Sequence, residues 1–175
     1  MNVINLFAGP GAGKSTNAAG LFYRMKMMNL KVELVTEYAK DKVYEGALGC
    51  LSDQIYIFGK QQFQLFTMKD EVEVIVTDSP IILSSIYDKT KCPHLKALIL
   101  KEFRTYNNFT YFIDRDEDVE YEQEGRYQDL DGAKKVDKMV KKFMDENKIK
   151  YKTIKGVGKK SVKTILADIK KEIGK

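Results

Sequence analysis

Residues 8–16, Ala-Gly-Pro-Gly-Ala-Gly-Lys-Ser-Thr, put three glycines, a lysine and two hydroxyls within one turn of chain. That set of groups suits binding of a phosphate chain. Gly9, Gly11 and Gly13 let backbone N–H groups curl around an oxyanion with no Cβ in the way, and Ala12 is small enough to sit among them. Lys14 bridges outer phosphates, Ser15 ligates Mg²⁺, and the Thr16 hydroxyl reaches an inner phosphate. Ala8 stands where the strict P-loop pattern asks for glycine, but the three glycines that follow still free the turn. Asp78 ends an apolar stretch, as a Walker B acid does. It suits either a hold on Mg²⁺ opposite Ser15 or removal of a proton from an attacking hydroxyl. Glu37 is a second carboxylate that divides this work with it, one on the metal and one as base. Arg115 and Arg126 stand out in a chain with four arginines and twenty-six lysines. A planar guanidinium makes bidentate phosphate contacts and stabilises charge that develops in phosphoryl transfer.

Such residues need elements to hold them. The apolar run Val3, Ile4, Leu6, Phe7 reads as a buried parallel strand, and Lys14 to Met28 as a helix with Ala18, Leu21, Phe22, Met25 and Met28 on one stripe. Further strands are read at 31–36, 73–77, 108–113 and 150–154. Helices fill the intervals: a short one through Glu45, one from the N-cap Ser52-Asp53 to Met68, one from Pro80 to Tyr87, then 95–106, 133–146 and 159–173. The third helix is expected to bury Ile55, Phe58, Gln62, Leu65 and Phe66, with Gly46 to Gly49 forming a loop before it. Strands alternating with helices give an α/β fold of three layers, a five-stranded parallel sheet covered on both faces. Ligands in such folds sit beyond the carboxyl ends of the strands. That rule brings the glycine turn, Glu37, Asp78 and Arg115 to one cleft. Tyr38, Asp53, Gln54, Tyr56 and Gln61 fall in the region that would line an acceptor pocket, or in the core beneath it.

The segment 114–131 holds nine acids and two arginines, too polar to pack and too long for a tight turn, and suits a mobile lid. With no internal repeat and no long linker, residues 1–175 read as one domain. Net charge is +5, unevenly placed: residues 133–175 carry fifteen lysines against five acids. That lysine-rich third is either the solvated face of two helices or a surface for DNA. Cys50 and Cys92 stand apart and read as reduced thiols, and the single histidine, His94, leaves no material for a histidine triad or a multi-histidine metal site. No apolar run reaches membrane-spanning length, and the first strand begins too early for a secretory signal, so a cytoplasmic setting is expected. A GTPase would want Asn-Lys-x-Asp after a late strand. Asn147-Lys148 lacks that Asp and precedes its strand. An oligomeric motor ATPase would want an extra helical subdomain, for which the chain has no room.

The blocks LFAGPGAGKST, VTEYAKD, SDQIYIFGKQ, VIVTDSP and GRYQ together resemble a group of small P-loop proteins, many of them phage-encoded. These are similar to the ribosylnicotinamide kinase domain of the bifunctional NAD-biosynthesis regulator, and more distantly to deoxynucleoside and nucleoside-monophosphate kinases. The resemblance runs over roughly positions 1–155. It implies a P-loop kinase fold, MgATP as phosphoryl donor, a nucleoside- or nucleotide-type acceptor, and host cytoplasm as the setting of a phage-encoded member. It matches Glu37 to a carboxylate near the acceptor hydroxyl, Asp78 to the acid after the third strand, and Arg115 and Arg126 to lid arginines. Asp78-Ser79-Pro80 replaces the Asp-Arg seen in many deoxynucleoside kinases. An acceptor hydroxyl within DNA (a 5′-hydroxyl or a hydroxymethylated base) is the related alternative, and a nucleotide-dependent switch the more distant one.

Overall fold

The structure, a computed structural model, describes residues 1–116 and 129–173. Five strands, β1 (Asn2–Phe7), β2 (Val32–Val35), β3 (Val74–Thr77), β4 (Asn107–Asp114) and β5 (Lys152–Lys155), form one sheet in the order β2-β3-β1-β4-β5. Every pairing is parallel. The central strands are apolar on both sides because both sides are covered. Val3, Ile4, Leu6 and Phe7 of β1 and Val74, Ile75 and Val76 of β3 are all buried.

Among the described residues seven α-helices flank the strands: α1 (Lys14–Met27), α2 (Tyr38–Tyr44), α3 (Gln54–Thr67), α4 (Leu83–Tyr87), α5 (Pro93–Arg104), α6 (Leu130–Glu146) and α7 (Lys159–Ile173). α1 packs with α7, while α4 packs with α3, α5 and α6, which gives the three layers of an α/β P-loop fold. The inner stripe of α1 is Asn17, Ala18, Leu21 and Met25. Burial of each of its two large side chains stabilises the fold by about 1.5–3 kcal/mol. Among the described residues no helix is long and apolar enough to cross a membrane.

Several expected boundaries shift for local reasons. The residues after Gly46 are not simple loop: Leu48–Ser52 winds into a 3₁₀ turn that delivers Asp53 to its capping position. Pro80 does not open a helix. Its carbonyl accepts from Leu83 N at 2.9 Å in a turn, and α4 starts at Leu83. The expected lid loses both ends to regular structure. Asp114 closes β4, and Asp129 caps α6 by accepting from Gly132 N at 2.7 Å. The remainder, 117–128, lies outside the described residues.

The largest departure concerns α3. Ile55 and Phe66, expected on the buried stripe, are 67% and 63% exposed. The buried face is Ile57, Phe58, Gln61 and Leu65. Polar anchors set that rotation: Asp53 accepts from Ile55 N and Tyr56 N at the cap, and Gln61 is drawn inward by the backbone after β2.

Candidate active site at the carboxyl edge of the sheet

β3 lies directly beside β1, so the residue that follows β3 meets the first turn of α1. Ser15 donates its hydroxyl to Asp78 Oδ2. Asp78 is 4% exposed, and its other oxygen, Oδ1, is buried without a hydrogen-bond partner among the described residues. A buried carboxylate oxygen left unpaired is costly unless a ligand takes it. One carboxylate and one hydroxyl fit Mg²⁺, which keeps several waters and shares phosphate oxygens instead of filling an all-protein cage. Among the described residues no group of three or more His, Cys, Asp or Glu could hold a metal ion.

The glycine turn is shaped for an anion. Gly13, at φ 84°, is the N-cap of α1, and neither a capping side chain nor a first-turn acid satisfies this helix end. By contrast α3 and α6 carry Asp53 and Asp129 caps. An uncapped N-terminus of a fourteen-residue helix presents unpaired donors and partial positive charge to a phosphate. Gly11 also has positive φ, 73°. Ser15 and Thr16 are exposed on the first turn, and Ala12 is buried behind it.

Lys14 Nζ donates to the Gly9 carbonyl at 3.0 Å, which keeps the ammonium within the turn. Burial pushes its pKa down, against the opposing pull of Glu37, Asp78 and Asp137, while Arg115 adds to the lowering. Glu37 shows the reverse: burial pushes its carboxyl above the usual range, Lys14 draws it back, and Asp78 raises it again. The structure thus brings Lys14, Glu37, Asp78 and Arg115 into one electrostatic neighbourhood, although they lie on four different connections. Arg126 lies outside the described residues.

Two contributors were not singled out from the sequence. Asp137, on α6, accepts from Gly9 N and from Arg115 Nε, each at 2.5 Å. Asn17 is fully buried and bridges the turn after β5, donating to Gly156 O at 3.2 Å and accepting from Gly158 N at 3.1 Å. That bridge seats Val157 so closely that a Cβ on Gly13 would stand 2.8 Å from the valine Cβ. In both cases the available signal was a polar side chain on or beside an apolar helical stripe: Asn17 beside Ala18 and Leu21, Asp137 between Val136 and Val140.

Gln61 falls in the core and Asp53 at the expected helix cap. Gln61 is 3% exposed, with its amide spent on backbone: Nε2 donates to Thr36 O at 3.0 Å and Oε1 accepts from Tyr38 N at 3.1 Å. It braces the peptides on either side of Glu37. Asp53 is an N-cap. Gln54 Nε2 donates to Leu51 O at 2.8 Å. Tyr38 and Tyr56 remain at the surface, hydroxyl to hydroxyl at 2.5 Å with rings edge-on at 5.8 Å.

Gly9 is held by close approach. A Cβ there would meet the Ala133 carbonyl oxygen at 2.4 Å, and backbone cannot swing aside as a side chain can. Gly9→Ala is therefore expected to cost about 1–3 kcal/mol, lowering Tm by about 2–12 °C. A melt equal to wild type would contradict this packing.

A family model described as an AAA domain matches residues 3–160. No curated protein matches the sequence. Among solved structures, thymidylate kinase from Ehrlichia chaffeensis superposes with a TM-score of 0.60 at 14% identity, covering 98% of this chain and 97% of that one. Deoxyadenosine kinase from M. mycoides, with products dCMP and a flexible dCDP bound, gives 0.53 at 18% identity over 98% of each chain. The same enzyme with bound dATP gives 0.52 at 17% identity, over 99% of this chain and 100% of that one. These likenesses are of fold: a P-loop domain shaped like nucleoside and nucleotide kinases.

Proposed function

The chain belongs to the AAA domain family, and from that premise we propose that it is an ATP-dependent kinase acting on a nucleoside- or nucleotide-type acceptor, its single domain spanning 1–175. The observation that carries the reading is the meeting of an uncapped α1 N-terminus, Lys14 and the Ser15–Asp78 pair with Glu37, a half-buried carboxylate whose proton affinity desolvation has raised. A simple phosphate-binding turn needs no such base.

The chain's own groups have separate tasks. Amides of the glycine turn and of Lys14, Ser15 and Thr16 hold the phosphate oxygens, and the Lys14 ammonium offsets their charge. Arg115 adds a guanidinium on the other side of Gly9, and Arg126 is proposed as a second one. Ser15 and Asp78 would hold Mg²⁺, which when bound neutralises phosphate charge. That occupation of Asp78 leaves Glu37 to take the proton from the acceptor hydroxyl, whose oxygen forms a bond to the γ-phosphorus as the bond to the ADP oxygen breaks. Gln61 keeps the Glu37 backbone in place. Catalysis is then positioning plus charge neutralisation.

The likeness in fold to a thymidylate kinase and a deoxyadenosine kinase supports the acceptor class. The lysine-rich C-terminal third supports the alternative of an acceptor hydroxyl in DNA, with lysines at 134, 135, 138, 159, 160 and 163 exposed on α6 and α7. ADP release from MgATP against nucleosides, nucleotides, ribosylnicotinamide, single-stranded DNA and duplex DNA tests both. Release that needs a nucleoside or nucleotide is expected. Release stimulated by DNA alone would move the acceptor into a polynucleotide, and release indifferent to every acceptor would contradict the kinase reading in favour of a switch.

A further inference from the structure

We propose that Asp137 is a positioning residue for phosphate binding: it holds the Arg115 guanidinium against the glycine turn so that the Nη2 edge faces a bound anion. The inference rests on reading that turn as a nucleotide phosphate site.

The geometry has three parts. Asp137 spends one carboxylate oxygen on Arg115 Nε and the other on Gly9 N, so the arginine and the turn are fixed to one anchor. The pair is well shielded, with side chains 13% and 15% exposed. Arg115 Nη2 is buried and has no hydrogen-bond partner among the described residues, and a Cβ on Gly9 would stand 3.0 Å from it. A carboxylate that served only to neutralise an arginine would place its two oxygens on two guanidinium nitrogens, Nε with Nη2 or Nη1 with Nη2. Taking Nε alone leaves a buried donor aimed at the turn, a cost that a phosphate oxygen would remove. Asp137 reaches this place from beside the buried stripe of α6, which is Ala133, Val136, Val140 and Met144.

The sign of one substitution separates positioning from plain electrostatics. A carboxylate beside a phosphate site repels the ligand, so Asp137→Asn, which keeps an acceptor for Gly9 N, should tighten nucleotide binding if charge alone matters. If Asp137 positions Arg115, the same change weakens binding. The experiment is calorimetric titration of MgATP into wild type, Asp137→Asn, Arg115→Ala and the double variant, with a thermal melt of each. Expected is a loss of affinity on the order of tenfold for Asp137→Asn, and no further loss when it is added to Arg115→Ala. Unchanged or tighter binding by Asp137→Asn would overturn the inference while leaving the phosphate site intact. Wild type that fails to bind MgATP would overturn the phosphate-site reading and this inference with it. Should Asp137→Asn melt far below wild type, Arg115→Lys supplies the second arm. Its ammonium meets Asp137 but has no second edge for the ligand, so affinity near that of Arg115→Ala is expected, and wild-type affinity would contradict the role.

Discussion

Replacing Lys14 by alanine is expected to slow ATP-dependent phosphoryl transfer by about 10²–10³-fold, the range seen when one preorganised charge-stabilising donor is removed. The effect should be this large because no other ammonium among the described residues hydrogen-bonds within the turn. Arg115, anchored by Asp137 beside Gly9, brings a separate charge, and the lysines of α6 and α7 that are exposed point to solvent. Lys14 is held inside the turn by the Gly9 carbonyl and faces three carboxylates, Glu37, Asp78 and Asp137. Its loss leaves that group of acids without the cation at their centre, so nucleotide affinity should fall along with kcat. The measurement is kcat and KM for MgATP beside a circular-dichroism melt. Wild-type kcat in a folded Lys14→Ala protein would mean that the turn does not act on phosphate during transfer.

Glu37→Gln carries the second large effect, a fall in kcat of about 10²–10⁴-fold, as expected for removal of a general base. The pH profile gives this prediction its sign. A base works only when ionised, and burial has raised the Glu37 pKa, so wild-type kcat should climb with pH through a value above the usual carboxylate range. Lys14 works as the cation, and burial has lowered its pKa, so activity should fall at alkaline pH below the usual lysine range. The two limbs make a bell. Glu37→Gln should remove the acid limb and leave the alkaline one, because Gln accepts no proton in this range while Lys14 still titrates. A Glu37→Gln enzyme that keeps both kcat and the acid limb would return the base role to Asp78.

Much of the site was legible because its residues sit at the ends of strands. Apolar runs mark β1 and β3, and the polar residue that ends each run must emerge at the sheet edge; that rule brings Asp78 to the glycine turn, which its own residue spacing marks. Glu37 followed from the same rule after β2. What was not legible depends on contacts between elements far apart in the chain. Asp137 lies 128 positions from the amide that it accepts from, in a helix otherwise written in lysines, and its neighbours in sequence give no hint of Gly9. Asn17 was hidden for the same reason, since its partners flank the turn after β5.

The α3 register shows how local pattern misleads. Ile55 and Phe66 are more apolar than Gln61, so a reading by hydrophobicity turns the helix the wrong way. The helix turns instead to satisfy two backbone groups around Glu37, because an unpaired buried amide costs more than an exposed phenyl ring. Similarly, Pro80 was read as a helix start from its fixed φ, whereas its carbonyl closes a turn first and the helix waits until Leu83.

The most direct test is transfer of label from γ-³²P-ATP, followed into the acceptor and not merely into free phosphate, for wild type and Lys14→Ala. The account predicts labelled nucleoside or nucleotide product from wild type and its near absence from the variant. Label that appears only as inorganic phosphate, equally with and without an acceptor, would contradict the kinase assignment and make the site that of a nucleotide hydrolase.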